Sequence, residues 1–471
     1  MAEPKGLVSR DETKGLAQRI GLPTAIAVVI GSVIGSGIFL VPQKIAMTLG
    51  DAGWIIAVWI FGGLLSLAGA LTNAEVAGMI PAAGGQYVYF REIYGDFPAF
   101  LYGWTTFIVY QTGSIAAIAV AFAKYLGFFF PGLNKLQIDF GLFVMPEVGI
   151  KLVAIGAIAF VAGVNYFGVQ FGGFVQRLFT SLKVLAIAGI VLACFVFGTH
   201  TGHLYTPFFS GKSFQGTSLL SAFGIALVAV LWAYDGWNSV TYLSGEVKDA
   251  QRNIPIALVA GTAVVIIIYV ITNLAYMYVL PVSQIAHSKL VAADAISLFF
   301  GTNGAALIAI TVMLSTFGTV NATTMTTARV YFAMAKDKLF FKGISRVHPK
   351  YRTPHVSLIV QGIWASLLTL TGTYDQLFTY VIFASWLFYA LGAFGIFVLR
   401  KKRPDAVRPY RTIGYPVVPM AFVVVATWFV YNTIVTDPRD SLFGLGLVLV
   451  GIPAYIFWKR SGTPKPTTGD A

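Results

Sequence analysis

Two ionisable side chains, Lys183 and Asp235, sit well inside apolar stretches of this 471-residue chain. A charge at such depth is costly unless it meets a partner or a substrate. Two further runs offer backbone chemistry. Gly31-Ser32-Val33-Ile34-Gly35-Ser36-Gly37-Ile38-Phe39 places three glycines in seven residues of a strongly apolar segment, and Leu231-Trp232-Ala233-Tyr234-Asp235-Gly236-Trp237-Asn238 surrounds the carboxylate. Where a helix unwinds at that depth, its freed N–H and C=O groups need partners, and the break is tolerated where it lines a cavity. A half-helix starting near Ser36 would aim N–H groups and its positive dipole end at an anion. Carbonyls ending the preceding half-helix, and those near Trp232 to Asp235, would face a cation. Donors opposite carbonyls fit a zwitterion. Glycine at 35 and 37 removes the Cβ that would keep a ligand carboxylate from the backbone.

Other chemistries lack their parts. Catalysis needs convergent groups such as paired acids or a nucleophile with a base, and only Lys183 and Asp235 are candidates. No nucleotide-binding signature is present. His200, His203, His287, His348 and His355 have no metal-ligand spacing, and Cys194 is the single cysteine, so no intrachain disulfide or cysteine metal site forms. No cofactor and no metal is expected, and the reading is against an enzyme.

The elements that position these residues follow from composition. The chain is 57% hydrophobic and 11% charged, against about 25% charged in soluble domains. Several windows exceed the about 20 apolar residues that cross a hydrocarbon core of about 30 Å. Twelve spans are predicted, at about 22–49, 54–80, 97–125, 150–168, 173–198, 217–244, 254–280, 303–332, 355–373, 376–399, 415–434 and 441–459. They are numbered 1 to 12 below. The first 20 residues are polar, so no cleaved signal peptide is expected.

The net charge of +13 comes from 32 Lys and Arg against 19 Asp and Glu. These cations lie in short loops without the aromatic-interleaved basic surface of a nucleic-acid binder. If both termini share a side, 25 of the 32 cations fall on that side and 7 on the other. The positive-inside rule then puts both termini in the cytoplasm of a cell inner (plasma) membrane protein. With the acids included, the inner side carries +14, the outer side is neutral, and Asp235 adds −1 within a span.

Glycine is common in membrane helices simply because it lets neighbours approach. Yet the two interruptions lie five spans apart, the pattern of an inverted-repeat transporter with a midplane site. The expected architecture is a single transmembrane domain over 1–471. Its first repeat is 22–198 (spans 1 to 5), its second 217–400 (spans 6 to 10), and 415–460 holds the last two spans.

Several motifs occur in order along most of the chain. They are Gly35-Ser36-Gly37-Ile38-Phe39; Met79-Ile80-Pro81 with Gly84-Gly85-Gln86-Tyr87; Phe179-Thr180 leading to Lys183; Trp232 to Asn238; Gly245-Glu246-Val247-Lys248 with Asn253-Ile254-Pro255; and Ser315-Thr316-Phe317-Gly318-Thr319 with Asn321 and Arg329. Together they resemble the L-type amino acid transporters of the amino acid-polyamine-organocation superfamily, in its bacterial type. The resemblance implies an all-α protein of twelve transmembrane helices with a five-plus-five inverted repeat of the leucine-transporter fold. Helices 1 and 6 would be broken. It also implies sodium-independent exchange of amino acids by alternating access.

On matching positions, the resemblance puts the substrate carboxylate on the N–H groups of Ser36 and Gly37 beside Gly35. The ammonium meets carbonyls of Val33, Trp232, Ala233 and Asp235, Trp232 closes the outer side, and Ser114 joins the side-chain pocket. It assigns Lys183 the place of the ion held by sodium-coupled relatives, bridging span 5 to the unwound part of span 1. Snorkelling of Lys183 to the cytoplasm is the plainer alternative, and a proton-coupled mechanism stays open. Asp235 either caps a second half-helix of span 6 or accepts a cationic substrate side chain. Glu75 and Glu246 read as structural, and Tyr110, Tyr269, Tyr276, Trp386 and Tyr389 as packing or interfacial anchors. Asn321-Ala322-Thr323 fits a glycosylation sequon but lies in span 8.

Mammalian members join a glycoprotein heavy chain through a cysteine between spans 3 and 4. This loop, roughly 126–149, has none, so no disulfide-linked heavy chain is expected. The predicted function is exchange of small or medium neutral L-amino acids. The alternatives are proton-coupled symport, or a carrier that also takes cationic amino acids or polyamines. A channel would show no acceleration of uptake by substrate on the far side.

Overall fold

The computed structural model describes residues 16–139, 144–198, 209, 218–371, 374–436 and 438–462. The N-terminal cations Lys5, Arg10 and Lys14, the loop residues His200, His203 and Lys212, and Lys465 lie outside the described residues.

All twelve expected spans are helical. Ten described helices are long and apolar enough to cross a membrane, and Leu219–Ala233 and His355–Leu370 are shorter apolar helices at the sixth and ninth positions. The protein is a polytopic all-α membrane protein. Among the described residues the extended pairings are a two-residue one between spans 3 and 4, Ile138 opposite Met145 and Asp139 opposite Val144, and an isolated bridge between Ile20 and Val247. Local chemistry sets several ends. Asp51 caps span 2 (Ala52–Met79), its Oδ1 accepting from the Gly53 N–H at 3.2 Å, and the Ser218 hydroxyl caps span 6 through Ser221 N–H at 3.2 Å. Such caps satisfy N–H groups that have no intrahelical acceptor.

Span 1 is broken into Leu22–Val33, Gly37–Leu40 and Pro42–Leu49. Ile34 turns to an extended conformation, and Pro42 starts the third piece, where its missing N–H costs nothing. Span 6 stops at Ala233 and continues through turns at 234–238 into a 3-10 helix, Ser239–Glu246. The expected second half-helix of span 6 is therefore not α-helical. Gly236 has φ of +98°, and the Thr241 and Ser244 hydroxyls donate to the carbonyls of Asn238 and Thr241, both at 2.7 Å. Short polar side chains that bond local carbonyls compete in this way with the α-helical ladder.

Span 7 (Ala250–Val279) packs along span 2, span 8 (Val291–Lys336) along span 3 (Asp96–Phe129), and span 9 (His355–Thr371) along span 4 (Val148–Tyr166). Span 8 is longer than expected, with a kink at Gly301. A short helix unforeseen in the sequence, Gln86–Tyr94, follows span 2.

Polarity is arranged for a lipid surround. Span 5 (Val169–Phe197) exposes Leu185, Leu192 and Phe195, while Ser315, Thr319, Asn321, Thr326 and Arg329 of span 8 are buried. Apolar atoms face outward and polar groups pair within the bundle, as a hydrocarbon solvent requires.

A cavity between the broken helices

The two breaks meet face to face. A Cβ on Gly37 would stand 2.7 Å from the Ala233 Cα, and one on Gly236 would stand 3.0 Å from the Ser32 carbonyl oxygen. Each glycine thus lets one break touch the backbone of the other. The glycine at 37 serves this helix-to-helix approach as well as the ligand approach read from sequence. Tyr269 of span 7 ties the breaks together. It is fully buried, and its hydroxyl lies 2.9 Å from the Val33 carbonyl and 3.0 Å from that of Ala233. These are two of the carbonyls expected to receive a substrate ammonium. A carbonyl has two lone pairs, so the hydroxyl leaves each with acceptor capacity.

Val33, Gly35, Ser36, Gly37, Ser114, Trp232, Ala233 and Asp235 all line a single cavity between these breaks, of about 30 Å³. Above it opens a vestibule of about 680 Å³ whose walls include Lys44, Lys124 and Lys289. The two are stacked along the helices: Gly37, Ile118 and Trp232 face the cavity, and Leu40, Ala121 and Ala229, one turn away, face the vestibule. Trp232 is 7% exposed and stands at the junction. The amides of Gly37 and Ile38 open the second piece of span 1, where the first turn leaves N–H groups without intrahelical acceptors.

Lys183 does not snorkel. Its side chain is fully buried, and its ammonium reaches the carbonyls of Gly31 (3.1 Å), Ile34 (2.6 Å) and Ser315 (2.9 Å) and the Thr319 hydroxyl (3.1 Å). The Ser315 hydroxyl donates toward Gly35 O at 3.0 Å and Ile34 O at 3.2 Å. Spans 5 and 8 together therefore hold the carbonyls that the unwinding of span 1 exposes. An ammonium supplies three donors and no acceptor, which suits a cluster made of oxygens.

Asp235 is positioned by two tyrosines. Tyr389 of span 10 (Tyr374–Lys402) donates to Oδ1 at 2.7 Å, Tyr110 of span 3 approaches both oxygens at 3.3 and 3.4 Å, and the two hydroxyls are 2.6 Å apart. The carboxylate is only partly covered and borders the cavity. It caps no α-helix, since Asn238 precedes the 3-10 turn. Tyr110 and Tyr389, expected as packing anchors, thus belong to the polar floor, whereas Trp386 stacks on Phe422 at 5.7 Å as expected of packing.

Below this floor the bundle is shut by ion pairs. Arg329 binds Glu246 through Nε–Oε1 at 2.6 Å and Nη2–Oε2 at 3.1 Å, with side chains 1% and 0% exposed. Tyr87 donates to Asp337 at 2.8 Å, and Arg91 pairs with the same carboxylate. Glu75 accepts from Arg400 at 2.9 and 2.7 Å and from the Thr412 N–H at 2.7 Å, a structural role. Asn321 is buried and bonded to Gln176 at 2.8 Å, out of reach of glycosylation.

Ser32, Gln111, Ile118, Ser239, Thr319 and Thr323 also line the cavity, unforeseen in the sequence. Gln111 follows a π-helical turn at Thr106–Tyr110, and such bulges have no sequence periodicity to betray them. Thr319 did carry a signal, since it ends the span 8 motif.

A helical membrane protein with a cavity between two interrupted helices has the build of a transporter. Residues 20–452 match the amino acid permease family. The serine/threonine exchanger SteT of Bacillus subtilis (strain 168) is 33% identical over 454 residues, covering 95% of this chain and 98% of its own. The b(0,+)-type amino acid transporter 1 of Mus musculus is 31% identical, covering 95% and 89%. The large neutral amino acids transporter small subunit 2 of Homo sapiens is 31% identical, covering 94% and 82%. The chain belongs to the amino acid permease family of the amino acid-polyamine-organocation superfamily, and is an amino acid transporter of the multi-pass membrane class.

Proposed function

We propose that this protein exchanges small neutral L-amino acids across the plasma membrane by alternating access, without sodium and without a disulfide-linked heavy chain. The observation that carries this reading is the cavity between the two breaks, lined on one side by Ser36 and Gly37 at the start of the second piece of span 1 and on the other by Val33, Trp232 and Ala233. The substrate carboxylate sits on Ser36 and Gly37 and its ammonium on those carbonyls. The room of about 30 Å³ in this closed form and the hydroxyls of Ser32, Ser114, Ser239 and Thr323 around it favour small or hydroxyl-bearing side chains over large ones. The name of the serine/threonine exchanger relative agrees with that preference.

Lys183 takes the part of a fixed cation, holding the same carbonyls that a coupling ion would need. The five-plus-five inverted repeat, 22–198 and 217–400, is supported by contact between spans 1 and 6, 2 and 7, 3 and 8, and 4 and 9, the corresponding members of two halves. Both termini face the cytoplasm, since 24 of the 32 cations, with Lys183 left aside as buried in span 5, fall on that side of the chain.

A second reading rests on Asp235, which borders the cavity and makes it able to receive a cationic side chain. Proteoliposomes preloaded with serine, alanine, leucine or lysine test both. Labelled serine uptake should require an internal small neutral amino acid. Uptake that ignores the interior and follows an inward proton gradient overturns exchange in favour of symport, and exchange driven equally by internal lysine overturns the neutral preference.

A further inference from the structure

A second cavity, of about 580 Å³, lies between spans 4 and 9 on the outside of the bundle. Its existence follows from side-chain size: Ala162, Gly163 and Gly362 put little bulk where the two helices cross, and a Cβ on Gly362 would meet nothing closer than 3.7 Å. The lining is almost wholly apolar. From Ile155 to Tyr166 it runs twelve residues, about 16 Å at a rise of about 1.5 Å per residue, the depth of one leaflet in a hydrocarbon core of about 30 Å.

The ends differ. At one end Lys151 donates to the carbonyl of Leu370 at 3.2 Å. At the other, Tyr166 and Phe167 carry a loop of opposite character. Tyr166 packs on His348, Tyr351 and His355 with ring centroids 5.1, 5.9 and 5.8 Å apart, and Phe167 on Tyr351 at 5.4 Å. The Thr353 hydroxyl locks the loop down, donating to the Tyr166 carbonyl at 2.9 Å. This loop carries Arg346, Lys350 and Arg352, all exposed. The Lys350 ammonium sits over the Tyr351 ring at 5.4 Å. Among the described residues none of these three cations has a carboxylate partner.

From this juxtaposition we infer that the groove between spans 4 and 9 is a binding site for an anionic glycerophospholipid of the inner leaflet. One acyl chain lies along Ala162, Gly163 and Gly362, and the phosphate is held by Arg346, Lys350 and Arg352. Charge complementarity selects this occupant over a neutral lipid: an apolar slot one leaflet deep ends at an aromatic collar and a set of unneutralised cations. The inference uses the assignment of this face to the cytoplasm and does not depend on which amino acids are transported.

The full-length protein, purified in detergent and equilibrated with equal phosphatidylglycerol and phosphatidylcholine, is examined by native mass spectrometry. The wild type should retain phosphatidylglycerol over phosphatidylcholine by roughly tenfold or more, since each cation near an anionic headgroup is worth about fivefold. The triple variant R346Q/K350Q/R352Q should lose that preference, and R346K/R352K should keep it. G362L, which fills the groove and leaves the charges, should reduce retention of both lipids. Equal retention of the two lipids by the wild type overturns the site, as does undiminished preference in the glutamine variant. Crosslinking that places a second copy of the chain along span 4 in lipid-replete bilayers overturns it too, because the groove then serves a protein interface.

Discussion

Replacing Lys183 by methionine keeps most of the side chain's volume and removes its three donors, so the consequence can be worked from the acceptors left behind. The carbonyls of Gly31, Ile34 and Ser315 receive the ammonium. Among the described residues the hydroxyls of Thr319 and Ser315 are the other donors to this cluster, and they must also serve Gly35 O. Each hydroxyl has one hydrogen. Two hydrogens remain for four carbonyls, of which that of Ser315 also has a helical partner position. One or two acceptors in the unwound stretch are then bare, at about 1–3 kcal/mol each. Two correspond to about thirtyfold or more on the equilibrium that forms this state.

The penalty falls on the closed arrangement of spans 1, 5 and 8 and leaves the N–H groups of Ser36 and Gly37 untouched. Exchange in proteoliposomes should therefore fall by at least about tenfold for Lys183→Met. Substrate binding to the purified protein, followed as a substrate-induced rise in Tm, should change much less. Lys183→Ala should lose more, because a cavity is added to the lost donors. Exchange by Lys183→Met within about threefold of wild type would refute the reasoning, since the carbonyls would have found other partners at little cost.

Three further outcomes follow from the same geometry. Tyr269→Phe removes the hydroxyl that ties Val33 to Ala233, and should cost about 0.5–1.5 kcal/mol, read as a lower Tm and a raised KM for exchange; unchanged values for both would mean the breaks hold themselves together. A double-mutant cycle of Asp235→Asn with Tyr389→Phe should show a coupling of about 0.5–3 kcal/mol in unfolding free energy, and Asp235→Asn should abolish any lysine or arginine uptake. Additive effects would show that the 2.7 Å contact carries no energy. Glu246→Gln leaves Arg329 buried without its counterion, at about 3–5 kcal/mol, and should open the inner side to a cysteine-directed probe placed at the cavity; adding Arg329→Met should restore much of the lost Tm. A single variant as stable as wild type would remove the ion pair from the closure.

Much of the architecture was legible because its signals are local. Runs of about 20 apolar residues report a span wherever they occur, and the twelve spans lie where hydropathy places them. Glycines at 35, 37 and 236 marked the breaks, since a helix in lipid cannot be interrupted without a cavity to receive its backbone. The eight residues expected at the substrate line one cavity for the same reason: six of the eight are in or beside one of the two breaks.

What escaped was orientation. Hydropathy along a span does not say which face turns inward, because lipid and core are both apolar. So Tyr269 and Tyr389 were indistinguishable from packing aromatics until the neighbouring spans placed carbonyls and a carboxylate beside their hydroxyls. The 3-10 course after Gly236 and the π turn before Gln111 depend on which tertiary partners accept the displaced hydrogen bonds.

By itself, then, the sequence determined that this chain lives in a membrane, where its apolar helices run, where two helices open, and which lysine and aspartate lie among them. These properties are sums over local composition or the conformational freedom of single glycines. Only the tertiary structure decided that Lys183 faces the opened backbone of span 1, that Asp235 is held by tyrosines from two other spans, and that Glu246 meets Arg329. Each of those pairs joins residues more than eighty positions apart, and which groups meet across such a distance is settled by packing and by the need to satisfy every buried polar group at once.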